Sequence, residues 1–224
     1  MVEIEINKDV KREFEGISLG IALIKNIHVE KDNDKLKAKM REIEEKIRKQ
    51  IKIEDLKAMP LIKAYRKFYW RIKIDPTKQR PSAEALIRRI LRGKNIPHIN
   101  TAVDAYNLAS IETQIPIGAY DFDKIKEPLI LRWSKPGEKF KAIGEEEEEV
   151  EKQLVISDAE KIINLYPHRD ADETKITRET KNVLIVACGV PNVPLKKVLE
   201  ATEKAAENIT KYCGGKVVEI KTIT

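Results

Sequence analysis

The sequence is poor in the residues that build disulfides and metal centres. Its 224 residues include two cysteines, Cys188 and Cys213, and three histidines, His28, His98 and His168. The cysteines lie far apart and in no CxxC pair, which argues against a structural disulfide or a thiolate zinc site. The histidines show no ligand spacing, so neither a metal nor an organic cofactor is expected. No Gly-rich phosphate loop, GxSxG elbow or HExxH helix occurs. Those absences remove the usual NTPase, dehydrogenase, serine-hydrolase and metalloprotease readings. No run approaches the ~18–20 apolar residues of a membrane span. The N-terminus MVEIEINKDV lacks the basic-then-apolar pattern of a secretory signal. A cytoplasmic protein without a membrane partner is expected.

Charge, by contrast, is plentiful. Charged residues make up 36% of the chain, above the roughly 25% of ordinary globular domains. Together with abundant Lys, Glu and Ile, this is the composition of a heat-adapted protein. The net charge of +6 suits a nucleic-acid partner, and equally a lysine-rich thermophile protein that has none. The hydrophobic content of 42% allows one large core or two small joined ones.

Two strand patterns open the chain, VEIEI at 2–6 and GISLGIALIKNI at 16–27. Helical patterns follow. Asp32–Ile51 places Leu36, Met40, Ile43 and Ile47 on one face, with Asp32 or Asn33 as cap. Pro60 opens PLIKAYRKFYWRI. Ser82 is the expected N-cap of SAEALIRRILR, with Glu84 in its first turn and Gly93 as its stop. A fourth helix covers about 101–112. After residue 113 the runs IPIGAYDF, PLILRW, EKFKAI, KQLVISD, KNVLIVAC and KVVEIKTI suggest short strands, with one long helix at Pro194–Lys211. Glu145–Glu149 suggests a solvated acidic loop. The fold class expected is α+β, without regular βαβ alternation.

Residues 98–125, HINTAVDAYNLASIETQIPIGAYDFDKI, resemble the B3/B4 module of the phenylalanyl-tRNA synthetase β subunit. That module's pattern is Val-Asn-Asn-x-Val-Asp-x-x-Asn-Tyr, then Glu, then Pro-x-His-Ala-Phe-Asp. Ile99-Asn100, Val103-Asp104, Asn107, Glu112, Pro116 and Ala119-Tyr120-Asp121 match it without a gap. SKPGEKFKAIG, LVISDAEKI and TRETKNVLIVAC continue the resemblance in order, over about residues 80–215. Nothing resembles the synthetase's aminoacylation core.

The resemblance implies a free-standing B3/4 module of packed β-sheets flanked by helices, in β-β-α layers. Residues 1–79 would be an N-terminal addition packed on a main domain at 80–224. It also implies editing, the hydrolysis in trans of an amino acid wrongly attached to tRNA, with aminoacylated tRNA rather than DNA as partner. A non-catalytic RNA- or protein-binding module that kept the fold is the alternative. Two departures stand out. Gly118 occupies the place of the pattern's pocket histidine, and Asp172 falls where the synthetase has a substrate-contacting glutamate, so tyrosine specificity does not carry over.

The stretch NLYPHRDADETKIT at 164–177 occupies the place of the synthetase's substrate-contacting loop. Ester hydrolysis needs a positioned water, a contact for the α-ammonium and donors for the oxyanion. Asp170, Asp172 or Glu173 suit the ammonium or the water, and His168 suits a general base. Thr174, Lys175 or Thr177 suit the oxyanion or the terminal ribose. The plainer reading is a salt-bridged connection in which Arg169 and Lys175 neutralise the acids. Asn100 and Asn107 either line the pocket by carry-over or satisfy backbone groups of their helix. Asp104 suits an internal hydrogen bond and His98 a turn. Gly118 is small either to admit substrate or to free the backbone.

Two basic faces are candidates for RNA phosphates. One carries Arg66, Lys67 and Arg71 among aromatics that must in part be buried. The other carries Arg88, Arg89 and Arg92.

Overall fold

The computed structural model covers residues 1–224 and combines α-helices with three β-sheets, the α+β class that the patterning indicates. The four-stranded sheet has the order β11-β2-β10-β3, antiparallel throughout. It is built from β2 (Ser18–Lys25), β3 (Ile117–Asp121), β10 (Val183–Gly189) and β11 (Lys216–Ile223). The continuous apolar runs of β2 and β10 are explained by burial on both faces, since all seven residues of β10 are buried. The alternating β11 closes one edge with an exposed side.

Helix α6 (Leu195–Cys213) lies across this sheet. It approaches closely because Gly20 and Gly189 have no side chain: a Cβ on Gly20 would collide with Thr202, and one on Gly189 would stand 2.9 Å from Val198 Cγ2, both on α6. Pro194 is its N-cap, and Gly214, at φ 69°, ends it. Helix α5 (Thr101–Thr113) packs beside α6, and Asn208 donates from α6 to the Ala105 carbonyl at 3.1 Å.

The five-stranded sheet, β1-β4-β7-β8-β9, packs on the other side of the core. Its members are β1 (Ile4–Ile6), β4 (Leu129–Trp133), β7 (Leu154–Ser157), β8 (Ile162–Leu165) and β9 (Arg169–Asp170). β1 and β4 run parallel and the other pairs antiparallel. A small ribbon of β5 (Lys139–Lys141) and β6 (Glu147–Glu149) stands beside it. The expected acidic loop at Glu145–Glu149 is therefore in part a short, fully exposed strand, whose glutamates face the lysines of β5.

Three further helices cover the molecule. α2 (Asp34–Gln50) starts at Asn33, whose side chain accepts from the Leu36 amide at 3.0 Å. α3 (Pro60–Arg71) buries Tyr65, Phe68 and Tyr69. α4 (Ser82–Leu91) has Pro81, not the expected Ser82, at its N-cap. Pro81 has the extended ψ of 137° that a cap requires, so Ser82 becomes the first helical residue and makes no capping bond. A six-residue helix, α1 (Lys8–Glu13), is too short to show a periodic pattern and was not expected.

Residues 1–79 do more than pack on the rest. β2 is an interior strand, flanked by β11 and β10, and β1 pairs with β4. A single apolar cluster of 56 buried residues runs from Val2 to Cys213. No helix is long and apolar enough to cross a membrane.

Candidate functional site

The stretch at 164–177 is a hairpin followed by a crossing. β8 and β9 pair Asn164 with Asp170 and Leu165 with Arg169, and the His168 amide closes the tip onto the Leu165 carbonyl at 2.7 Å. The chain then passes from the five-stranded sheet to the end of β3, where the Asp121 amide donates to the Thr174 carbonyl at 2.8 Å. This path brings Asp170 against β3.

Gly118 and Tyr120 share one face of β3, two residues apart. Tyr120 Oη donates to Asp170 Oδ1 at 2.6 Å, and Asn164 Nδ2 donates to the same oxygen at 3.1 Å. A Cβ on Gly118 would collide with Tyr120 Oη and stand 3.0 Å from Asp170 Oδ1. Gly118 has no positive φ, so its smallness makes room rather than a turn. The tyrosine hydroxyl occupies the space in front of it.

Beside this cluster lies a cavity of about 50 Å³, lined by Gly118, Asp170, Asn164, His168, Ser82 and Cys188 with Pro116, Ile117 and Pro167. It is large enough for one or two waters. Two buried atoms of lining residues lack a hydrogen-bond partner, Asn164 Oδ1 and His168 Nδ1. Outside it opens a cleft of about 400 Å³ with Ile72, Ile74, Leu154 and Tyr166 as apolar floor and Lys73, Gln79, Glu151, Lys152 and Gln153 among its polar walls. His168 is the one residue that lines both.

The electrostatics follow from this enclosure. Burial raises the pKa of Asp170, against the lowering pull of its bonds from Tyr120 and Asn164. Burial, aided by the charge of Arg169, lowers His168 to about 4, so its imidazole is neutral at pH 7. Burial also raises the Cys188 thiol and the phenols of Tyr106 and Tyr120, with the nearby Asp170 adding to each. His168 packs edge-on against Tyr69, ring centroids 6.2 Å apart.

The other polar residues of the stretch have different places. Asp172 pairs with Lys175 at 2.7 Å, Glu173 with Lys161 at 2.8 Å, and Arg169 with Glu148 at 2.6 Å and Glu145 at 3.2 Å. These four lie on the outside in ion pairs, away from the Asp170 cavity. Thr174 is fully buried, and its Oγ1 has no partner. Thr177 forms a local turn, its amide donating to Thr180 Oγ1 at 3.0 Å.

The asparagines carried over from the family pattern divide likewise. Asn100 is the N-cap of α5, accepting from the Val103 amide at 2.9 Å. Asp104, buried, accepts from the Ile99 amide at 3.0 Å and bonds His98 Nδ1 at 2.5 Å, and His98 Nε2 reaches Asp32 at 2.9 Å. Asn100, Asp104 and His98 therefore hold the entry of α5. Asn107 is half-buried on α5 and lines neither the cavity nor the cleft.

The first basic face is largely taken up internally. Arg66 donates to Glu84 at 3.0 and 3.1 Å and to the Pro76 carbonyl. Arg71 donates to the Glu13 carbonyl at 2.6 Å and lies over the Phe14 ring. Only Lys67 remains free on that face, because Arg66 and Arg71 tie α3 to its neighbours. Tyr120, Asn164, Ser82 and Cys188 are not among the site residues expected from the sequence. The signal available was the tyrosine in Ala-Tyr-Asp where the family pattern has phenylalanine, and Asn164 as the polar first residue of the charged stretch.

A fold of this kind also appears in known proteins. The family model "B3/4 domain" matches residues 64–214. The chain belongs to the B3/4 domain family. The phenylalanine–tRNA ligase β subunit of Carboxydothermus hydrogenoformans is 35% identical over 131 residues, covering 58% of this chain and 16% of that protein. That of Aquifex aeolicus is 28% identical over 161 residues, covering 61% of this chain and 21% of that protein. An N-terminal fragment of the phenylalanyl-tRNA synthetase β subunit from Pyrococcus horikoshii matches 96% of this chain and 50% of its own, with a TM-score of 0.52 and 17% identity. That likeness concerns the fold. The chain spans less than a quarter of the length of these curated relatives.

Proposed function

We propose that this chain hydrolyses the ester joining an amino acid to the 3′ end of a tRNA, in trans to any aminoacylation core. One observation carries the proposal: His168 is the one residue that lines both a cleft of about 400 Å³ and the water-sized cavity beside Asp170. A cleft of that volume lies in the range of ligand sites and suits an aminoacyl ribose. The small cavity suits the water that attacks it.

Asp170 is the general base. Its Oδ1 is held by Tyr120 and Asn164, leaving Oδ2 to accept a proton, and a raised pKa strengthens it as a base at neutral pH. The water oxygen adds to the ester carbonyl as its proton passes to Asp170. The tetrahedral intermediate then expels the ribose oxygen, which takes up that proton, and the products are the free amino acid and tRNA. His168 touches both compartments and holds the water on line through Nδ1. With its pKa near 4, the imidazole orients the water and is a poor base. The ester is already activated, so positioning and one base suffice. Asp172, Glu173 and Lys175, ion-paired away from both spaces, take no part in the chemistry, and Arg169 lines the cleft while paired with Glu148 and Glu145.

A second reading, a binding module without chemistry, is favoured by one observation. The inner cavity of about 50 Å³ has no room for an amino-acid side chain. Asp170→Asn separates the two. It keeps the hydrogen bonds and removes the base, so hydrolysis of a mischarged tRNA falls about 10²–10⁴-fold while the melting temperature holds or rises. Undiminished hydrolysis by Asp170→Asn would remove Asp170 from the mechanism.

A further inference from the structure

The second basic face of the sequence folds into something more specific than a row of charges. On one side of α4 lies a groove of about 450 Å³ whose lining includes Lys78, Arg80, Arg88, Arg89, Arg92 and Lys94, together with Ala85, Leu86 and Pro97. No carboxylate lines it. In a chain with 37 acidic residues against 43 basic ones, six cations without an acid among them mark a surface of one sign. The α4 positions 85, 88, 89 and 92 recur at helical spacing, a stripe about 10 Å long.

The floor of the groove is built, not merely charged. Arg88 is 9% exposed. Its Nη2 is held by Glu84 Oε1 at 3.2 Å, and Glu84 is itself fully buried and held from the other side by Arg66. Two arginines share one carboxylate, so the cluster keeps an excess positive charge. Arg88 Nε is buried and has no hydrogen-bond partner. A buried N–H donor without a partner is costly unless something accepts from it, and in a groove of cations that acceptor is an anion.

We infer that this groove binds the phosphates of an RNA backbone, with Arg88 gripping one phosphate on the floor and the exposed Lys78, Arg89, Arg92 and Lys94 contacting its neighbours. A guanidinium fixed by a buried carboxylate presents its remaining donors in the planar arrangement that phosphate oxygens fit. The position of the groove decides for RNA over a lone anion. Lys78 and Arg80 line the groove, Gln79 between them lines the open cleft, and Ser82 lines the water-sized cavity. Four of the five residues Lys78–Ser82 thus line these spaces, so a strand lying along α4 and continuing past its N-terminus is directed toward the cleft. The inference rests on tRNA being the partner of the proposed reaction, but binding in the groove needs no ester and no catalysis.

The experiment is filter binding of unacylated tRNA to the full chain over a series of KCl concentrations. The variants are Lys78→Gln/Arg92→Gln/Lys94→Gln in the groove and, as control, Lys135→Gln/Lys196→Gln/Lys216→Gln at exposed positions elsewhere. Each phosphate contact contributes somewhat under one unit to the slope of log K against log salt. The groove triple is expected to flatten that slope by about 2 and weaken binding at least tenfold at 0.1 M salt, with the control near the parent. Arg88→Lys keeps the charge and loses the fork, so affinity falls several-fold at unchanged slope, with melting curves confirming that the variant is folded. Equal effects of the two triples, an unaltered slope, full affinity in Arg88→Lys, or equally tight binding of poly-glutamate of matched charge would overturn the inference. Loss of tRNA binding in the groove triple without any hydrolysis by the parent would uphold the groove and refute the enzyme.

Discussion

A neutral imidazole held inside a protein resists acid only until protons are abundant enough to force it to charge. His168 is in that position: burial first, and then the charge of Arg169, lowers its folded pKa to about 4 from 6.5. A lowered pKa means that the stabilising contribution is fully present above about 6.5 and is lost as pH falls toward 4. The shift corresponds to on the order of 3 kcal/mol at most. Asp170 works the other way, its raised pKa favouring the fold as the carboxyl takes up its proton on acidification. His168→Gln isolates the first effect. The parent is expected to lose its stability advantage over this variant between pH 6.5 and 4 in urea titrations. Parallel pH profiles would show that the imidazole is not buried as described. None of this was readable in the string PHRDADE, where the carboxylates Asp170, Asp172 and Glu173 differ only in position. The pairing of Asn164 with Asp170 in the hairpin turns His168 and Asp170 to the cavity and leaves Glu173, Asp172 and Arg169 to Lys161, Lys175, Glu145 and Glu148.

In β3 the period of two places Gly118 and Tyr120 on one face, so the two positions act as a unit. Where the family pattern has histidine followed by phenylalanine, this strand has glycine followed by tyrosine, and the hydroxyl occupies the room the glycine leaves. Gly118→Ala is expected to destabilise by about 1–3 kcal/mol, the usual cost of overpacking, because its Cβ meets the buried Tyr120 Oη. Adding Tyr120→Phe relieves part of that cost, since the ring Cζ would still stand 3.0 Å away. Thermal denaturation of the two single variants and the double checks this. Strictly additive losses would mean that the residues are uncoupled. The long elements α2, α3, α6, β2 and β10 were readable because each carries many turns or a long apolar run. β8, β9 and α1 were not, being four, two and six residues long. Ser82 was misplaced at a cap because Pro81 supplies the same geometry one residue earlier.

Across the whole molecule, the open cleft, the small cavity and the basic groove each take lining residues from the segment Lys78–Ser82. The family resemblance indicated the fold and drew attention to Gly118 and the charged stretch. It could not indicate which charges point inward, since that depends on contacts between β3 and β9, which lie about fifty residues apart in the chain. Nor could it separate Arg66 and Arg71, which tie α3 to its neighbours, from Arg88, Arg89 and Arg92, which line the groove beside α4, because all are arginines of amphipathic helices. Incubating the full chain with a panel of tRNAs, each charged with a different amino acid, decides whether these three spaces serve one reaction. Release of at least one amino acid well above its spontaneous rate, and at the spontaneous rate with Asp170→Asn, is the expected result. Spontaneous rates for every ester on the panel would contradict it.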